Sequence, residues 1–390
     1  MTQMTAVIWR TWGGNFEPSR LKVARQLSGV TRKSLADIVD MSAASITLYE
    51  NGTKAPTEQT MIRVANCLGF PLDFFYGHQL DVIDADGVTF RSRRSMTSSL
   101  RERAVAHSVI ATDIISPALR EKFRLPEPDI PDLSEHSPER AAELLRSHWR
   151  LGAGPISNMV HLLESRGVEV YWVNEKSDSV SAFSRRKNDR PYVFLNRNSQ
   201  SGERGRFDAA HELAHLTRDR NERDLESRVV EAQADQFAAA FLMPPRQFAV
   251  ESPRTPVLPN YFALKRRWGV SIAAMVRRSR DVGCISDWQY ECACKEIAVN
   301  GWRKLEPHML LRETSKAHET MLSLLERKGV GPEMFARENA IPLRELELLI
   351  PVAGQYHDRF ELGMDAVDVD NDLSLERLRL VEIEKTWPSQ

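Results

Sequence analysis

Residues 206–217 read RFDAAHELAHLT, with two histidines four positions apart and a glutamate directly after the first. If Phe207 to Thr217 is a helix, His211 and His215 lie one turn apart on the same face. The flanking Phe207, Ala209, Ala210, Leu213, Ala214 and Leu216 are apolar, so most of that helix must be buried. A buried face carrying two imidazoles and a carboxylate needs partners, because polar groups removed from water are costly when left unpaired. The rest of the chain therefore has to bring complementary groups to this helix, and no other stretch constrains the fold as tightly.

The spacing suits a zinc site. Two neutral imidazoles one turn apart bind one Zn²⁺ firmly without cancelling its charge. Glu212 then sits beside the open coordination position, where it can take a proton from water and deliver it to a leaving amine. A third protein ligand is expected. Residues 231–245, EAQADQFAAAFLMPP, read as another apolar helix, with Glu231 and Asp235 one turn apart. Glu231 is the candidate to complete the shell, and Asp235 the candidate to accept the N–H of a ligating histidine and so hold its tautomer. Glu222, Asp224 and Glu226 compete for the third position, but their stretch, RDRNERDLESR, has the composition of a solvated segment. The plain alternative is a solvated helix, since H-E-x-x-H also arises by chance. His148 and His161 read as ordinary surface or helix residues.

The first eighty residues pose a different problem. In RLKVARQLSGVTRKSLADIVDMSAASITLYENGTKAPT, Leu21, Ala24 and Leu27 form the apolar face of a first helix. Thr31 is a suitable N-cap for a second, with Leu35, Ala36 and Val39 inward. Ser42 is a suitable N-cap for a third, with Ile46 and Tyr49 inward, and Asn51–Gly52 ends it. Two short helices joined by a tight turn and framed by others have the geometry of a DNA reader whose second helix enters the major groove. That helix offers Ser42, Ala43, Ala44, Ser45 and Thr47, while Thr31, Arg32, Lys33 and Lys54 lie at neighbouring helix ends where phosphates are expected. A plain helical bundle has the same periodicity. The exposed face is short of Arg, Gln and Asn, so no target sequence can be read from it.

A chain of 390 residues implies two or three domains. Its 42% hydrophobic and 27% charged residues are those of an ordinary globular protein, so a packed core is expected throughout. A net charge of −1 leaves no global field to draw the chain onto DNA, so any such contact must come from a local patch. Cys67, Cys284, Cys292 and Cys294 do not form a ligand set and read as reduced thiols. With neither a basic-then-apolar leader nor eighteen uninterrupted apolar residues, a cytoplasmic protein with no membrane partner is expected. Residues 17–77 read as the helix-turn-helix domain. Residues 78–137, with the basic FRSRRSMTSSLRERA and the proline-rich RLPEPDIPDLSEHSPER, read as a linker. Residues 138–305 form the domain of the H-E-x-x-H helix, preceded by strands at 168–173 and 191–195 with a loop or short strand between them. Residues 306–390 read as packing helices with an acidic tail, dimerisation being the alternative role. The expected fold class is mainly α: an N-terminal all-α helix-turn-helix, a central, small α+β zincin-like domain, and C-terminal helices.

Two resemblances sharpen these expectations. T-R-K-S-L-A, M-S-A-A-S-I-T-L-Y-E-N-G and K-A-P-T, within roughly residues 19–76, resemble the XRE family of phage-repressor-like regulators. That family usually carries Gln where this chain has Arg32. R-F-D-A-A-H-E-L-A-H-L and E-A-Q-A-D-Q-F-A-A-A-F-L-M-P resemble the ImmA/IrrE metallopeptidases, with roughly residues 138–305 covered. Asp235 stands where that family often has Asn, and TRDRNER lacks a His often found there. The resemblance implies His211, His215 and Glu231 as zinc ligands and Glu212 as general base. Together the two imply a regulator that binds a double-stranded operator, possible as a homodimer, and cuts a protein substrate, either an XRE-type repressor or itself. A non-proteolytic sensor switch and a toxin–antitoxin or phage-defence component are the alternatives.

Overall fold

A computed structural model describes residues 15–81, 89–90, 97–174, 182–198, 201–218, 228–355 and 381–382. The helices are α1 (Pro18–Leu27), α2 (Arg32–Ile38), α3 (Ala43–Glu50), α4 (Glu58–Leu68), α5 (Ser98–Ile110), α6 (Ser116–Arg120), α7 (Pro138–His148), α8 (Met159–Ser165) and α9 (Gly202–Arg218). They continue as α10 (Arg228–Leu242), α11 (Pro245–Glu251), α12 (Tyr261–Trp268), α13 (Ile272–Asp281), α14 (Asp287–Val299), α15 (Lys316–Arg327), α16 (Pro332–Glu338) and α17 (Leu343–Leu349). The strands are β1 (Thr89–Phe90), β2 (Phe123–Arg124), β3 (Glu169–Val173), β4 (Ala182–Lys187), β5 (Arg190–Asn196) and β6 (Val381–Glu382). Among the described residues no helix is long and apolar enough to cross a membrane.

The chain forms two compact units, drawn from Met1–Ala85, Thr97–Leu119 and Leu325–Met364, and from Asp86–Met96, Arg120–Leu324 and Asp365–Gln390. This division departs from the expected linker at 78–137 and the expected C-terminal region at 306–390. Within the supposed linker, AVAHSVIATDII is apolar enough to make α5, which continues through a π turn at Ala111–Ile115 into α6. Ala104, Val109, Ile110 and Ile115 are fully buried there, and α5 packs on α1. The helices after residue 324 join the same unit. Arg344 donates to the Leu68 carbonyl at 2.9 Å, and Glu345 meets His107 of α5 at 3.3 Å.

The first unit starts its helices where side-chain oxygens can take up free backbone N–H groups. Thr31, Ser42 and Thr57 accept from Ser34, Ser45 and Thr60. Asp40, at φ 54°, makes the sharp turn between α2 and α3. The buried Glu50 carboxylate accepts from Arg25 at 2.5 Å and Arg32 at 2.6 Å, which ties α3 to both preceding helices.

In the second unit the sheet order is β1-β4-β5-β3, with β3 parallel to β5 and the other pairs antiparallel. The segment between the two expected strands supplies β4. Asn188 and Asp189, both at positive φ, form a two-residue turn that matches strand twist and folds β4 onto β5. Both faces of the sheet are covered, so its strands are apolar on alternate and adjacent positions alike. Val170, Val193 and Leu195 join the core built with Leu213, Phe237 and Phe241 from α9 and α10. On the other face Phe183 stacks on Phe194 at 4.6 Å, and Tyr171 meets His318 of α15 at 4.9 Å.

Carboxylates distant in sequence cap three helices of this unit. Glu313 accepts from Met159 and Val160 N–H at 2.8 and 3.0 Å, and Glu306 from Ile272 and Ala273 at 2.9 and 3.3 Å. Glu164 accepts from Lys316 and Ala317 N–H, both at 3.2 Å, and from the Ser315 hydroxyl. Such charge-assisted bonds fasten the stretch after α14 to the domain.

Burial pushes the Glu164 carboxyl from 4.5 up to about 7, against the pull of its bonds from Ser315, Ala317 and Lys316. Its stabilising contribution is full below the unfolded value of 4.5 and is lost as pH rises through about 7. Denaturant midpoints measured across that window should fall more steeply for the wild type than for Glu164→Gln. Parallel profiles would contradict the assignment.

Candidate metal centre and nucleic-acid interface

Helix α9 packs on β4 and β5 of the sheet, and α10 packs along it. His211 and Glu212 are fully buried and His215 nearly so. His211 Nε2 and His215 Nε2 stand 3.0 Å apart. One oxygen of Glu231 lies 3.5 Å from the first of these nitrogens, and its other oxygen lies 3.5 Å from the second. Ligands of a tetrahedral ion with bonds of about 2.1 Å are about 3.4 Å from one another, so the three side chains fit one ion. His211, Glu212 and His215 also form a buried cluster with ligand atoms within 4.8 Å of one another. Glu231 is the better third member of the shell, because its two oxygens face the two Nε2 atoms directly.

Asp235 completes this arrangement. Its carboxylate meets His211 Nδ1 at 2.9 Å, which places the proton on Nδ1 and leaves the Nε2 lone pair for an ion. The i, i+4 spacing of Glu231 and Asp235 on α10 thus puts one carboxylate on each side of the same ring. Glu222, Asp224 and Glu226, the competing candidates, lie outside the described residues. His148 pairs with Asp129 at 2.6 Å at the surface, away from this cluster's partners.

Neither oxygen of Glu212 has a hydrogen bond of normal geometry, and Oε1 of Glu231 has none either. Buried carboxylate oxygens left in that condition are the mark of a site built for something further. Burial pushes the Glu212 carboxyl above the usual carboxylate range; His215, His211 and the Ser184 hydroxyl pull it back, and Glu231 adds to the rise. Ser184, on β4, went unnoticed in the sequence, where its segment had no clear strand pattern. Only the hairpin register brings it beside α9. Arg186 of the same strand donates to the Leu216 carbonyl at 2.7 Å, locking β4 along the histidine helix.

In the first unit, Thr31, Arg32, Lys33, Ser42, Ala43, Ala44 and Lys54 are exposed, and Ser45 and Thr47 are partly so. The face presented by α3 is therefore open and made of short side chains. Several of its hydroxyls are engaged locally: Thr47 donates to the Ala43 carbonyl at 3.0 Å, and Ser42 and Ser45 share a bond of 2.9 Å. Arg32 differs from the freely reaching phosphate contact expected, since its Nε is held by Glu50 and only the far end of the guanidinium is available.

Comparisons with known families agree with both geometries. Residues 21–75 match the helix-turn-helix family model, and residues 164–280 match that of the IrrE N-terminal-like domain, a peptidase family. No curated protein matches the chain. The first unit thus contains a DNA-binding domain of the XRE type, and the second a metallopeptidase-like domain. The two matches support the fusion of an XRE-type helix-turn-helix, at residues 21–75, to an IrrE/ImmA-like domain, at residues 164–280.

Because Asp235 orients His211, Asp235→Ala should weaken divalent-metal affinity by about 10–100-fold, with Asp235→Asn close to the wild type. Competition against a chromogenic chelator, with Zn²⁺ as the probe ion, measures this. Equal affinities for wild type and the alanine variant would remove Asp235 from the centre.

Proposed function

We propose that this protein is a DNA-binding transcription regulator whose metallopeptidase-like domain is a zinc endopeptidase, acting on an XRE-type repressor or on its own chain. The convergence of His211, His215 and Glu231 around one point, with Glu212 buried beside it, carries the reading. His211, His215 and Glu231 would hold the ion. Zinc held there would supply Lewis acidity toward a peptide carbonyl. Glu212 takes a proton from the attacking water and returns it to the departing amine. A carboxyl held above its usual range by burial is suited to both halves of that transfer near neutral pH.

For the other end of the molecule, α3 enters the major groove with Ser42, Ala43, Ala44, Ser45 and Thr47 toward the bases. Thr31, Lys33, Lys54 and the free end of Arg32 meet phosphates. Short side chains on α3 let its backbone approach closely. Binding as a homodimer to paired half-sites accords with this mode of reading.

Glu212→Gln separates the roles. The variant should bind one zinc per chain, as the wild type does, and lose cleavage of XRE-type repressor substrates by at least about 10²-fold. Metal analysis and gel-resolved fragment patterns on the same preparations provide the test. Identical fragments from both proteins would refute the peptidase reading, and loss of zinc from the variant would place Glu212 in the ligand shell instead.

A further inference from the structure

The helix-turn-helix of the first unit recurs within that unit. Counting 300 positions on from Gly29 reaches Gly329, and the stretches GVTRKSLADIVDMSAASITLYE and GVGPEMFARENAIPLRELELLI run to Glu50 and Ile350 without a gap. Helix α2 covers Arg32–Ile38 and α16 covers Pro332–Glu338; α3 starts at Ala43 and α17 at Leu343. Both stretches open on a glycine at positive φ, 68° and 77°, and turn between their helices at Asp40 and Ala340, φ 54° and 53°. Alanine rarely takes that conformation, so the second turn is imposed by how the two helices pack rather than chosen by its residue. The same backbone bonds recur. Met41 N–H donates to the Ala36 carbonyl at 2.9 Å and Ile341 N–H to that of Ala336 at 3.0 Å. Ser45 N–H reaches Ser42, and Glu345 N–H reaches Pro342, both at 3.0 Å. The cores correspond too, with Leu35, Ile46 and Tyr49 buried in one motif and Phe335, Leu346 and Leu349 in the other.

The outer face differs in chemistry. Where the first motif has Ala43, Ser45 and Thr47, the second has Leu343, Glu345 and Glu347; where it has Arg32, Lys33 and Lys54, the second has Pro332, Glu333 and Gly354. Added carboxylates and lost cations remove the attraction for a phosphate backbone. That face of α17 is instead taken up by protein. Arg344 donates to the Leu68 carbonyl at 2.9 Å and lies over the Phe70 ring at 5.5 Å, and the buried Glu345 meets His107 of α5 at 3.3 Å. Gly69, which ends α4, leaves room for this contact, since a Cβ there would stand 2.5 Å from Arg344 Nη1. The matching Ala44 is exposed and Ser45 partly so.

We propose that residues 329–350 are a second helix-turn-helix whose reading helix binds protein instead of DNA, clamping the α4 end and α5 of its own unit. Each chain then offers DNA one reading helix, α3, and the other half-site of a paired operator falls to a second chain. That consequence rests on the DNA reading of the first motif.

Anisotropy of a fluorescein-labelled, mixed-sequence DNA duplex, titrated with the full chain across a salt series, reports which motif touches DNA. Lys33→Glu with Lys54→Glu should weaken binding at least about tenfold and flatten the salt dependence. Arg337→Glu, on the exposed side of α16, should stay within about twofold of the wild type. A loss of about tenfold from Arg337→Glu alone overturns the proposal, because the second motif then meets phosphates. Hydrogen exchange without DNA reports the clamp. Arg344→Ala should speed exchange of the amides of residues 343–349 at least about tenfold and leave those of residues 32–50 unchanged. Arg344→Lys, which keeps the charge but not the fork of donors, should fall between. Unchanged exchange at 343–349 in Arg344→Ala, or equal acceleration at 32–50, overturns the proposal as well. Exchange needs no DNA, so the clamp can hold while the first motif's DNA reading fails, or fail while that reading stands.

Discussion

Burying two histidines and a glutamate on one helix is the condition to which the second unit is fitted. Helix α9 buries most of its polar face, and each imidazole and carboxylate there needs a counterpart from elsewhere. Helix α10 provides them on a single stripe: Glu231 faces both Nε2 atoms, and Asp235 accepts a hydrogen bond from the Nδ1–H of His211. The sheet closes the other side through Ser184. Remove any of these and buried polar groups lose their partners, so the packing of α9, α10 and β4 and the chemistry of the centre stand on the same contacts.

That cluster also needs a rigid surround, and the domain obtains one from charges placed at helix ends. Glu313, Glu306 and Glu164 satisfy the first N–H groups of α8, α13 and α15, each from a distant part of the chain. Lys265, fully buried, joins Glu203 at the start of α9 to Glu306 at 2.7 and 3.0 Å. The start of the histidine helix is thus pinned through a lysine to the segment that caps α13. The stretch after α14, which has little periodicity of its own, owes its course to these bonds rather than to an apolar face.

The same contrast explains what could be read from the amino-acid order. Local signals survived folding: the N-caps Thr31 and Ser42, the apolar faces of α1 to α4, the strands at β3 and β5, and the i, i+4 spacing of His211 with His215 and Glu231 with Asp235. Features that depend on distant partners did not show. The apolar run AVAHSVIATDII looked like part of a linker because its neighbours are basic and proline-rich, yet it packs as α5. Helices α16 and α17 look like any amphipathic pair, and nothing local says that Glu345 will meet His107. Arg32 reads as a free cation until Glu50, eighteen residues on, is brought to 2.6 Å. Ser184 becomes a site residue only through the register of β4 on β5 and its closeness to α9.

X-ray absorption at the zinc edge of the metal-loaded full chain tests the central claim most directly. Two imidazole nitrogens and a carboxylate oxygen at about 2.0–2.2 Å are expected, with no sulfur scatterer at about 2.3 Å, and the imidazole signal should vanish in a His211→Ala, His215→Ala chain. A shell containing cysteine sulfur, or one that survives loss of both histidines, would place the metal elsewhere and contradict the account.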